Sequence, residues 1–218
     1  MGLGRLTDRA FDAVIFDMDG TLIDSTPAVD RAWKTWGREH GLTDDDLTGH
    51  HGIPSAGVVR RLLPAEQHES ATARINELEI VDVHDIEVLP GAAEALEALV
   101  GAKNAIATSC NAPLAAARIA AAGLVPPSVL VTADDVEHGK PSPDPFLEAA
   151  KRLGVEPTRC LVVEDAPAGL AAARAAGCST LAVQTTTPVD DLDADGIVSN
   201  LADVTFAYGA DGIHVSLR

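Results

Sequence analysis

Ala13-Val14-Ile15-Phe16-Asp17-Met18-Asp19-Gly20-Thr21-Leu22 decides how the rest of this 218-residue chain is read. Four apolar residues, two of them β-branched, run without interruption into two acids and a glycine. A run of that kind suits a strand buried on both faces of a parallel sheet. In open α/β sheets ligands bind beyond the carboxyl ends of the strands, so the acid pair falls where chemistry is expected.

Working outward, similar runs recur at residues 104–108, 128–132, 160–164 and 180–183. Between them lie segments with helix punctuation, at 113–122 before Gly123, at 144–153 before Gly154 and at 167–176 before Gly177. Strand, helix, glycine, strand is the rhythm of an α/β fold with a parallel sheet flanked by helices. From about 26 to 88 that rhythm stops, and Val29, Trp33 and Trp36 fall at helical spacing. Thr26 and Pro27 read as N-cap and first helical residue, Gly41 as the stop, and further helices are expected over 56–63 and 65–80. Pro90-Gly91 returns the chain to the sheet. The expected division is therefore a core of 1–24 and 89–218 with a helical insertion, 25–88. The two tryptophans are expected to pack in that insertion, and the acidic stretch 190–196 to serve solvation.

Composition narrows the function. The formal net charge is −17, with no run of Lys or Arg, and aromatics are only 3%. Nucleic acid is therefore excluded as a partner. An anionic substrate would need a local cation to reverse that field. The three cysteines, Cys110, Cys160 and Cys178, have no metal-like spacing and read as reduced, structural thiols of a cytoplasmic protein. No leader-like region or membrane-spanning stretch is evident, so no membrane partner is expected. A monomer or weak homodimer is expected.

The residues that follow each strand carry the chemistry. Asp17 and Asp19 would repel each other at a buried strand end unless a cation sat between them. Hard oxygen donors suit Mg2+, and Asp165, after the run at 160–164, would complete a ligand set of Asp17, Asp19 and Asp165. Glu164 is expected to orient those ligands. With the ion in place Asp17 becomes a carboxylate nucleophile toward phosphorus, and Asp19 is left for proton transfer. Gly20 permits a sharp turn that brings backbone N–H groups toward the phosphoryl oxygens. Thr108, through hydroxyl and amide, Ser109 behind it, and Lys140 are expected on those oxygens, and Lys140 also supplies the missing positive charge. Each fragment has a plainer reading: an acid pair before glycine is ordinarily a turn, Thr108 alone would cap a helix, and Arg60-Arg61 is a solvated helix face. His50-His51 lacks partners at zinc spacing.

Taken in order, D-M-D-G-T-L at 17–22, A-T-S at 107–109, G-K-P-S-P-D-P-F at 139–146 and V-V-E-D-A-P-A-G at 162–169 resemble the haloacid dehalogenase superfamily. The likeness spans about residues 12–185. It implies a Rossmann-like core, an α-helical cap inserted after the first motif and hydrolysis of phosphate esters through Asp17. Dehalogenases of the family lack an acid at the position of Asp19, which points to phosphoryl chemistry. The stretches 17–33 and 164–178 are most similar to the branch acting on sugar and polyol phosphates, including glycerol-3-phosphate and 2-deoxyglucose-6-phosphate phosphatases. β-Phosphoglucomutases share the cap, but carry a His shortly after the first motif and an Arg in the cap's substrate loop. This chain has Val29 and Pro54-Ser55 there. The expected partner is thus a small sugar or polyol phosphate. The competing readings are a phosphosugar mutase and a phospho-acceptor signalling module. The latter needs neither Asp19 nor a long helical lid.

Overall fold

The computed structural model describes residues 2–47 and 53–218. His50 and His51 lie outside them. The strands β1 (Ala13–Phe16), β4 (Lys103–Ala107), β5 (Val129–Val131), β6 (Cys160–Glu164), β7 (Ser179–Val183) and β8 (Gly196–Val198) form one sheet in the order β5-β4-β1-β6-β7-β8. Every pairing is parallel, with β1 between β4 and β6, Phe16 opposite Ile106 and Val163. Alternation along β1 sends Val14 and Phe16 to one core and Ala13 and Ile15 to the other, as a two-sided strand requires.

Helices cover both faces. On one, α4 (Ala92–Ala98) and α5 (Ala112–Ala122) pack with an antiparallel hairpin of β9 (Val204–Gly209) and β10 (Gly212–Leu217), and Phe16 meets Phe206 edge-on at 5.9 Å. On the other, Phe146, Ala149 and Ala150 of α6 (Asp144–Leu153) and Ala172 and Ala173 of α7 (Pro167–Ala175) cover the sheet with small side chains. The alanine-rich helices noted in the sequence thus sit close to the strands.

The insertion comprises α1 (Thr26–Glu39), α2 (Ser55–Leu62) and α3 (His68–Val81). Val29, Trp33, Trp36, Val58, Val59 and Ile75 give it a core of its own. Trp36 is fully buried, stacks edge-on against Trp33 at 5.2 Å and donates its indole N–H to Ala71 O at 2.9 Å. Arg60 and Arg61 are exposed, as a solvated face should be. The chain enters and leaves through a short antiparallel ribbon, β2 (Ile23–Asp24) against β3 (Glu87–Val88).

Several expectations move. The helix after Asp24 starts at Thr26, with Ser25 in the cap position. The Ser25 hydroxyl donates to Asp19 instead of capping, and Asp24 Oδ1 accepts the Thr26 amide at 2.9 Å. The segment expected as one helix over 65–80 opens with a 3-10 turn, Ala65–Gln67, before α3. The acidic stretch 190–196 does more than solvate, because Asp195 Oδ2 accepts the Thr180 amide at 2.8 Å and its hydroxyl at 3.1 Å, tying the loop to β7. β8, β9, β10 and the β2–β3 ribbon were not anticipated. β2, β3 and β8, of two or three residues, carry too little periodicity to be read, whereas the six-residue β9 and β10 do alternate apolar and polar residues, over 204–206 and 213–217, and that signal went unread.

Trp36→Ala should empty the largest fully buried side-chain site in the insertion and remove the indole hydrogen bond to the Ala71 carbonyl. Urea denaturation should show a loss of about 3–5 kcal/mol, and a loss below about 1 kcal/mol would mean the insertion repacks freely.

Candidate active site

β1 ends at Phe16, and its backbone continues in register as Asp17 N donates to Val163 O at 2.9 Å, so Asp17 projects from the carboxyl edge of the sheet. Gly20 then turns at φ +85°, and a Cβ there would strike the Asp165 carboxylate. Only glycine lets the first loop lie this close to Asp165. The Gly20 amide donates to Ile23 O at 2.8 Å, so its own N–H closes the turn.

Asp17, Glu164 and Asp165 each present a carboxylate oxygen, all within 4.8 Å of one another, and all three residues are buried. Lys140, 3% exposed, reaches in from the loop before α6, donating to Asp17 Oδ1 and to Glu164 Oε1 at 2.7 Å, with its ammonium 5.2 Å from the Phe146 ring centroid. Glu164 Oε2 accepts the Asp165 and Ala166 amides, both at 2.8 Å. Gly169 on α7 leaves room for it, since a Cβ there would overlap the Glu164 carboxylate. Asp165 Oδ1 accepts Thr21 Oγ1 at 3.3 Å, and Oδ2 accepts the Thr186 hydroxyl.

Burial and neighbouring acids oppose ionisation here. Burial pushes Asp17 up to about 7 even though Lys140 pulls the other way. Asp165 is raised well above the usual carboxylate range by burial, then by Glu164 and Asp17. Burial would lower the Lys140 pKa, but Asp17 and Glu164 outweigh it and hold the ammonium charged. Fully ionised, three carboxylates against one ammonium would leave two uncompensated negative charges out of water, which is why burial holds Asp17 and Asp165 back from ionising and why the donor set suits a divalent cation.

Asp19 stands apart from that set. Its Oδ1 accepts Ser25 Oγ at 2.6 Å and Arg118 Nη1 at 2.8 Å, and Oδ2 accepts from Cys110 Sγ at 3.1 Å. The Asp19 side chain, expected on the metal, is charge-paired to a guanidinium in this structure, and Glu164 lies among the converging oxygens.

Asp17, Asp19, Thr108, Ser109 and Asp165 wall one side of a cavity of about 80 Å3, and Val29, Trp33, Ser55, Asn76 and Glu79 of the insertion wall the other. Lys140 and Glu164 lie behind that wall, in contact with Asp17 and Asp165. The Thr108 amide is spent on Val131 O at 2.9 Å, so strand pairing leaves only its hydroxyl for a ligand. Ser109 is half-buried in the same wall. Cys110 is buried, with burial and then Asp19 raising its thiol, which makes it a poor nucleophile.

Thr21, Ser25, Glu79, Arg118 and Thr186 belong to the site and were not anticipated. For Arg118 a signal existed, because it is the one charge in the apolar helix A-P-L-A-A-A-R-I-A-A-A and lies at i+7 from Asn111. Glu79 sits among other acids in a helix of mixed polarity, where nothing marks it out.

Residues 11–177 match the haloacid dehalogenase-like hydrolase family. Over 205 residues the chain is 39% identical to hexitol phosphatase A of Escherichia coli strain K12, covering 91% of this chain and 95% of that one. It is 35% identical to glycerol-1-phosphate phosphohydrolase 1 of Saccharomyces cerevisiae, over 94% of this chain and 89% of the relative. A hydrolase from Pseudomonas syringae superposes with a TM-score of 0.81 at 30% identity, over 88% and 95% of the two chains. Fold, ordered motifs and relatives agree, and the chain belongs to the haloacid dehalogenase-like hydrolase family as an enzyme of phosphatase type.

Proposed function

We propose that this chain is a cytoplasmic, Mg2+-dependent phosphomonoesterase of small sugar or polyol phosphates, working through an aspartyl-phosphate on Asp17. The observation that carries the reading is the buried set of Asp17, Glu164 and Asp165 around Lys140, open to a cavity that also holds Asp19 and Thr108. Asp17 and Asp165, oriented with Glu164, would hold the ion, which when bound offsets the charge of the phosphoryl group and of its attacker.

Lys140 engages Asp17 Oδ1, leaving Oδ2 as the oxygen that bonds to phosphorus. The ester P–O bond breaks as Asp19 gives its proton to the departing alkoxide. Asp19 then takes a proton from the water that attacks phosphorus, the acyl-phosphate bond breaks, and Asp17 is regenerated. The Thr108 hydroxyl, with Ser109 beside it, supports the phosphoryl oxygens in both steps. Residues 25–88 act as a cap that excludes bulk water.

The substrate class rests on two supports. Relatives named for hexitol and glycerol phosphates cover nearly the whole chain. The cap wall offers Ser55 and Asn76, hydrogen-bonded to each other at 2.9 Å, as partners for hydroxyls. Val29 in the same wall brings no imidazole to a second phosphoryl position, which favours hydrolysis over mutase chemistry. The free buried cysteines suit a reducing compartment, and no helix among the described residues is long and apolar enough to cross a membrane.

Asp17→Asn should leave the fold intact and abolish phosphate release; retained turnover would remove Asp17 as nucleophile. In a panel of hexitol, glycerol, hexose and glycolate monophosphates, free phosphate should appear fastest from polyol esters, whereas isomerised hexose phosphate would reveal a mutase. Mg2+ binding has a pH signature. Asp17 is raised above its unfolded value of 3.8 to about 7, so the apo protein loses stability as pH rises through that window, where the ion finds its ligands ionised. Calorimetric Tm should therefore rise more with Mg2+ at pH 8 than at pH 5, and an equal rise at both would place the ion elsewhere.

A further inference from the structure

Arg118 and Glu79 are buried in the cavity wall yet belong to none of the motifs that define the family resemblance. They come from opposite sides, Arg118 from α5 on the sheet and Glu79 from α3 in the insertion. Arg118 Nη1 donates to Asp19 Oδ1 at 2.8 Å and lies 3.2 Å from Cys110 Sγ, and Nη2 donates to Glu79 Oε1 at 3.0 Å. Its Nε has no hydrogen-bond partner among the described residues, so the orientation of the guanidinium rests on the groups it bridges. Glu79 is held in turn by the indole of Trp33, a core residue of the insertion.

A planar fork with one prong on each carboxylate fixes direction as well as distance, which an ammonium would not do. Ser25 is the other donor to Asp19 Oδ1 and is a single rotatable hydroxyl. Burying an acid–base–acid triplet stabilises a fold little, because desolvation offsets the attraction. What this triplet supplies is a fixed aim for Asp19.

We propose that Arg118 is a positioning residue for Asp19, and that Glu79 locks Arg118 in place when α3 lies against α5, so that the proton donor is aligned only under a seated cap. This rests on the phosphatase reading with Asp19 as general acid. The alternative role for the pair is to dock the insertion on the sheet and nothing more.

Leaving groups separate the two. An alkoxide needs a proton as it departs, and p-nitrophenolate does not. The quantity to compare is kcat/KM, which covers steps up to loss of the alcohol or phenol and omits the later attack of water. Arg118→Met and the double variant Arg118→Met/Glu79→Gln, the second leaving no buried acid on α3 without its cation, should be assayed beside Asp19→Asn. The two esters are the best polyol phosphate of the panel and p-nitrophenyl phosphate, with folding checked by circular dichroism. In both Arg118 variants kcat/KM should fall about 10²-fold on the polyol ester and less than about tenfold on the aryl ester. Equal losses on the two esters in the double variant, or no loss on either, would overturn the proposal. Asp19→Asn should discriminate at least as strongly. If it does not, the general-acid reading fails and the positioning role falls with it.

Discussion

Carboxylates held out of water beside one another must be matched by positive charge, and the arrangement around the cavity follows from that demand. Asp17, Glu164 and Asp165 converge at the ends of β1 and β6 because those strands are neighbours in the sheet. Lys140 answers part of their charge and is itself kept ionised by them. The glycines at 20 and 169 are consequences of the same crowding, since a side chain at either would displace an acid of the set. What Lys140 leaves unbalanced is a donor set that would suit a divalent ion, and such an ion would locally offset the repulsion between a phosphoryl group and a chain of net charge −17.

A second set of charges lies across the cavity. Asp19 and Glu79 share Arg118, so the acids fall into two groups with separate cations, Lys140 for Asp17 and Glu164 and Arg118 for Asp19 and Glu79. Two carboxylates one residue apart in sequence thereby acquire different surroundings. The division also joins the two parts of the fold, because Glu79 belongs to a helix whose own core is separate from those of the sheet. Glu79 completes the charge balance around Arg118 at the place where α3 meets α5.

Much of this architecture was legible in the chain. The unbroken run 13–16, its counterparts and the glycines closing the helices carry strong local signals, because a strand buried on both faces must be apolar throughout and a helix ending in a left-handed turn favours glycine. Asp17, Lys140 and Asp165 were recognisable because each follows a strand in a fixed order. Boundaries slipped by a residue where strand ends meet loops, and the short strands were missed for want of periodicity. The Thr108 amide was misassigned for a different reason, since sequence names a donor but not the acceptor that has already claimed it.

By itself the sequence determined the α/β order of elements, the helical interruption and the residue types available at each strand end, all of which are encoded within windows of a few neighbours. Only the tertiary structure decided that Asp19 faces a guanidinium rather than the acid set, that Glu164 belongs among the converging oxygens, and that Arg118 and Glu79 meet at 3.0 Å across 39 positions of chain. The direction of a charged side chain is set by which partners the whole fold brings within a few ångströms, and that is a property of no local stretch.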